Sequence, residues 1–129
     1  MDKEAFLREV KVRAGLPDTN EAEKATRAVL LALTDVLSSD EAHDMASQLP
    51  KELKGIVTGR LAQAGRVQKM SWDQLVERVQ RELELSTRED AERVINGVFA
   101  TLKRAVSPGE MEDVEATLPT ELREHLQAV

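Results

Sequence analysis

Residues 6–57 lie on residues 75–126 at a constant offset of 69 without a gap, and 13 of the 52 paired positions are identical. The match closes on Leu-Pro-x-Glu-Leu at 49–53 and again at 118–122. A pattern written twice at this length predicts two units, each of which needs its neighbour to bury an apolar face. With 129 residues in all, the second copy reads as half of one core and not as a separate domain. The expected organisation is therefore a single domain over 1–129, with unit 1 at about 3–57, a connector at 58–70 and unit 2 at about 71–127.

Helix starts are marked by Ser-x-x-Glu/Gln at Ser38/Glu41, Ser71/Gln74, Ser86/Glu89 and Ser107/Glu110, with Asp18/Glu21 as a near variant. In such a capping box the serine oxygen takes an orphan amide and the acid or amide side chain reaches back. Apolar residues at spacings of three and four (Phe6, Leu7, Val10, Ala14 and Trp72, Leu75, Val76, Val79, Leu83) give the first helix of each unit, about 3–14 and 72–84. The second helices, about 20–37 and 88–106, are the most apolar and belong at the centre. Gly97 stands where the first copy has Ala28. A mid-helix glycine costs ~1 kcal/mol against alanine, so a close approach is expected there, placed between the two second helices.

Third helices start at Ser38 and Ser107 and stop before Pro50 and Pro119, which then open short fourth helices bearing Leu53, Ile56, Val57 and Leu122, Leu126. The fourth helix of unit 1 is expected to run to about Ala64 and end on Gly65. The fold class is all-α, a pseudo-symmetric bundle of two repeated multi-helix units with about eight helices.

Val29–Leu53 carries Ala-Val-Leu-x-Ala-Leu, Leu-Ser-x-x-Glu-Ala and Ala-x-Gln-Leu-Pro-x-Glu-Leu, echoed between Val98 and Leu122 by Val-Ser-Pro-Gly-Glu-Met and Leu-Pro-x-Glu-Leu. These runs resemble the prokaryotic domain-of-unknown-function family 2267 (DUF2267), in two tandem copies of its helical repeat. The resemblance implies an all-helical fold and no assigned activity, and it brings no functional residues, because its motifs are caps, core leucines and prolines.

Charge narrows the function classes. Lys+Arg against Asp+Glu is 8 to 11 over 1–57, 3 to 0 over 58–70 and 7 to 13 over 71–129, so two acidic units flank a basic joint. An acidic surface repels phosphate backbones, and three aromatics without a tyrosine offer no stacking platform, which sets nucleic acid aside. No cysteine, no apolar run near 20 residues and no basic leader point to a protein of the cytoplasm without a membrane span.

Catalysis has little to draw on: no cysteine or tyrosine, two histidines, and no nucleophile elbow or phosphate-cradling loop. His43 with Asp40 lacks a symmetric partner, since His125 falls opposite Ile56, so no metal site and no cofactor are expected. The recurring acids Glu23/Glu92, Glu41/Glu110, Asp44/Asp113 and Glu52/Glu121 read as caps, helix-dipole partners or solvated side chains. Arg60, Arg66 and Lys69 in the joint are the candidate partner-binding residues. The favoured function is a protein-interaction or scaffold module, with self-association as one form of it. The alternative is a small-ligand binder with a pocket between the halves, and an enzyme ranks last.

Overall fold

Caps decide where the helices begin. The computed structural model describes residues 1–63 and 67–129, and among these residues eight helices and no strand occur: α1 (Lys3–Ala14), α2 (Thr19–Val36), α3 (Ser39–Ala46), α4 (Lys51–Leu61), α5 (Trp72–Glu82), α6 (Arg88–Ala105), α7 (Pro108–Thr117) and α8 (Thr120–Ala128). Each start in the second set follows its counterpart by 69 residues: 3 and 72, 19 and 88, 39 and 108, 51 and 120. Asp2, Asp18, Ser38, Ser71, Thr87 and Ser107 each accept an amide of the first turn. The cap of α6 is thus Thr87 and not Ser86, which puts it in register with Asp18 at the offset of 69. Among the described residues, only Ser71/Gln74 closes a reciprocal capping box. At α3 and α7 the serine caps, but the glutamate does not return.

The turns after α1 and α5 follow the same offset. Gly15 (φ 64°) and Glu84 (φ 53°) both take the left-handed conformation. Leu16 N–H donates to the Lys11 carbonyl, and Leu85 N–H to that of Gln80, each at 2.9 Å. Helix α4 stops at Leu61, three residues short of the expected end, while Ala64, Gly65 and Arg66 lie outside the described residues.

α2 and α6 occupy the centre, as expected. α2 touches α1, α3, α4, α5 and α6, and α6 touches α1, α2, α5 and α8, while α3 packs on α7 across the halves. One apolar core runs through all eight helices, from Phe6 and Val10 through Val29, Leu33, Val98 and Phe99 to Leu122. No helix among the described residues is long and apolar enough to cross a membrane.

The close approach at Gly97 is real, but its partner is α1. A Cβ built on Gly97 would stand 3.0 Å from both the Cβ and the backbone nitrogen of Ala14. The end of α1 therefore crosses directly over α6, where the sequence pattern had pointed to α2. Trp72 is a core residue, 6% exposed, and its ring stacks on His125 with centroids 3.6 Å apart. Its backbone N–H donates to Glu121 Oε2, which ties the start of α5 to the start of α8.

Candidate functional site

Ser38 and Ser107 start α3 and α7, and the first inward turn of each helix then carries a glutamate. Because α3 and α7 pack against each other, Glu41 and Glu110 meet across the interface. One oxygen from each of Glu41, Asp44 and Glu110 falls within 4.8 Å of the others. Both Glu41 Oε1 and Glu110 Oε1 are buried and have no hydrogen-bond donor. Asp113 lies close enough to act on Glu41 by charge. Acids that recur in both copies at 41/110 and 44/113 are thus gathered at one place: Glu41 and Glu110 do not close the expected capping boxes, which corrects that expectation, while Asp44 and Asp113 are exposed.

Electrostatics follow from that crowding. Burial, then the hydrogen bond and charge of Glu110, then the charges of Asp113 and Asp44, push the Glu41 carboxyl up to about 7. A proton between two facing carboxyls supplies the donor that both buried oxygens lack. No Lys or Arg occurs in α3 or α7, which carry Asp40, Glu41, Asp44, Glu110, Glu112, Asp113 and Glu115. Among the described residues, none of these seven acids takes part in an ion pair. The arrangement can hold a proton or attract positive charge. Hard carboxylate oxygens suit Ca²⁺ or Mg²⁺ by type, but three converging oxygens fall short of the six or more such ions take. His43, weighed with Asp40 in the sequence, is exposed and stands outside the converging group.

The sign of the pH effect is determined. A carboxyl whose folded pKa is raised favours the fold while protonated, and that contribution is lost as pH rises from the ordinary value of 4.5 through about 7. Glu41→Gln is therefore expected to stabilise the protein at pH 8 by on the order of 1 kcal/mol after solvent screening, with the gain shrinking toward zero near pH 5. Thermal melts of both proteins across that range check it.

The basic joint is split by the fold. Arg60, in the last turn of α4, donates from Nε and Nη2 to Asp35 Oδ1 and Oδ2 at 2.8 and 2.9 Å. Arg78 of α5 donates to the same carboxylate at 2.9 Å. Lys69 is exposed, and Arg66 lies outside the described residues. Asp35 itself, passed over in the sequence, is 4% exposed near the end of α2. Burial alone would raise its carboxyl, but hydrogen bonds and charge from Arg60 and then Arg78 outweigh burial and hold it below the usual range. Its backbone carbonyl also accepts from Gln68 N–H at 2.7 Å, so one residue fastens α2, α4, α5 and the connector. The signal that could have exposed it is an acid inside an apolar helix.

Two grooves run between the halves. One is lined by Arg13, Glu89, Glu92 and Arg93 beside Gly97, and the other by Glu21, Lys24, Arg27 and Glu82 beside Ala28. Both are of mixed charge, and the unpartnered buried oxygens lie in neither.

Among curated proteins none matches this chain. A family model does match, over residues 3–125, with the description "Uncharacterized conserved protein (DUF2267)", and the chain belongs to that family.

Proposed function

We propose that this member of the DUF2267 family is a protein-interaction module that docks a cationic segment of its partner on the acidic face of α3 and α7. The observation that carries the reading is seven carboxylic acids on α3 and α7 without a single ion pair among the described residues, of which Asp40, Asp44, Glu112 and Asp113 are exposed. Elsewhere several charged groups are paired: Glu9 with Arg13 and Arg104, Asp35 with Arg60 and Arg78, Arg88 with Asp73. Ammonium or guanidinium groups laid over α3 and α7 would give the carboxylates their missing partners and release the proton held at Glu41. The large apolar residues that are exposed, Met1, Val12, Val67 and Val129, are scattered along the chain, so apolar docking has less support than charge.

We also infer that the matched span contains two tandem copies of one four-helix unit. The common offset of all four helix starts and of the left-handed residues 15 and 84 supports this. In that reading the acidic face is built by the third helix of each copy, and neither copy alone would form it.

An octalysine peptide titrated calorimetrically at pH 8 tests the docking reading. Binding is expected at low salt, weakened at least tenfold by 0.3 M NaCl, and weakened at least tenfold again in Asp44→Asn/Glu112→Gln/Asp113→Asn. Lys69→Glu should leave it unchanged. Equal binding by wild type and the triple variant would sink the reading, as would no heat at low salt. Competition by Mg²⁺ or Ca²⁺ at equal charge concentration would point to simple cation binding instead.

A further inference from the structure

Glu9 on α1 pairs with Arg104 on α6, and Asp35 on α2 pairs with Arg78 on α5. The offset of 69 carries 9 to 78 and 35 to 104, so these are the same two positions taken twice with the charges exchanged. The first half holds an acid at both positions and the second half a base at both. Size is exchanged at the neighbouring crossing as well: Gly97 faces Ala14, whereas the positions related to them by the offset are Ala28 and Leu83, which line one groove. From these two independent swaps we infer that the halves are built to pair with each other and to reject their own kind, so that two copies of the chain do not join first half to first half or second half to second half.

Three pairings of the halves differ in charge and in space. First half with second half makes two opposite-charge contacts and lets α1 cross Gly97 without a Cβ in the way. First half with first half would set Glu9 against Asp35, and would place the Ala28 Cβ where a Cβ stands 3.0 Å from Ala14. Second half with second half would set Arg78 against Arg104 and press Leu83 on Gly97. Local partners soften but do not remove the difference: Arg13 stays with Glu9, Arg60 with Asp35 and Glu82 with Arg78 in every pairing. What changes is the partner across the halves, and Asp35 is almost wholly buried when it meets its own. Discrimination by built-in repulsion and crowding is how closely similar surfaces avoid like pairing. Two halves sharing a helical pattern are open to that error in a way unlike halves are not.

Glu9→Arg/Arg104→Glu provides the test. Both contacts within the chain remain of opposite charge, but like-with-like pairing becomes attractive at 9/35 and at 78/104. Adding Ala28→Gly also opens the first-half crossing. Wild type and variants, unfolded in guanidinium chloride and refolded at rising protein concentration, would be sized by light scattering. Wild type is expected to return as single chains, the double variant to give at least five times more two-chain species, and the triple variant more still. Absence of a two-chain species from both folded variants would overturn the inference, as would an equal yield from wild type. Should the arginine at position 9 prevent folding, Glu9→Lys/Arg104→Glu carries the same prediction with a smaller head group, and circular dichroism verifies the helices first.

Discussion

Gly97→Leu is expected to lower stability by about 2–3 kcal/mol, or roughly 10 °C in melting temperature for a domain of this size. The cause is the crossing of α1 over α6, where even a Cβ would sit 3.0 Å from the Ala14 backbone nitrogen and Cβ. A leucine would have to push the whole end of α1 outward, dragging Phe6, Leu7 and Val10 from the core. Gly97→Ala sets two effects of similar size against each other: helix propensity gains ~1 kcal/mol, and the crossing must widen by a few tenths of an ångström. The contrast is Gly55 in α4, which has nothing within 4 Å of a built Cβ, so that Gly55→Ala should stabilise by ~0.5–1 kcal/mol. Denaturant titrations of the three variants check the ordering, and a Gly97→Leu midpoint equal to wild type would remove the crossing as its cause.

Asp35→Ala should be the most damaging change of a charged residue, about 3 kcal/mol. The carboxylate is 4% exposed and makes three hydrogen bonds to two guanidiniums. Without it Arg78, with a side chain 17% exposed, is left positive and poorly solvated, while Arg60 at 35% can turn to water. Arg60→Ala is therefore expected to cost about 1 kcal/mol and Arg78→Ala about 2. The pH dependence carries the opposite sign to that of Glu41. A carboxyl held low favours the fold when ionised, so the Asp35 contribution is present above its ordinary value of 3.8 and is lost only as pH falls through its lower folded value. Chemical denaturation at pH 7 and pH 2.5 separates the two: the gap between wild type and Asp35→Ala should narrow in acid.

Much of the fold was legible because its punctuation is local. Ser38, Ser71 and Ser107 cap where expected, Pro50 and Pro119 divide third from fourth helices, and the offset of 69 carries every start from one half to the other. What was not legible depends on which helices touch. The Ser-x-x-Glu/Gln spelling closes a box at Ser71/Gln74, whereas the packing of α3 on α7 brings Glu41 and Glu110 together instead. Two lysine- and arginine-free stretches, 36–50 and 105–122, were the available hint that the acids there lack a basic neighbour in the sequence. Gly97 announced a close approach without naming α1, since a missing side chain records only that space is short. Arg60 looked like part of a free basic joint because its partner lies 25 residues upstream, inside a helix.

Trp72 is the chain's one tryptophan, and there is no tyrosine. Its indole lies flat against His125, and its backbone amide is held by Glu121, so the light it emits comes from a single seam where α5 begins and α8 ends. The protein thus carries an intrinsic optical gauge of whether α8 is seated, readable without any label.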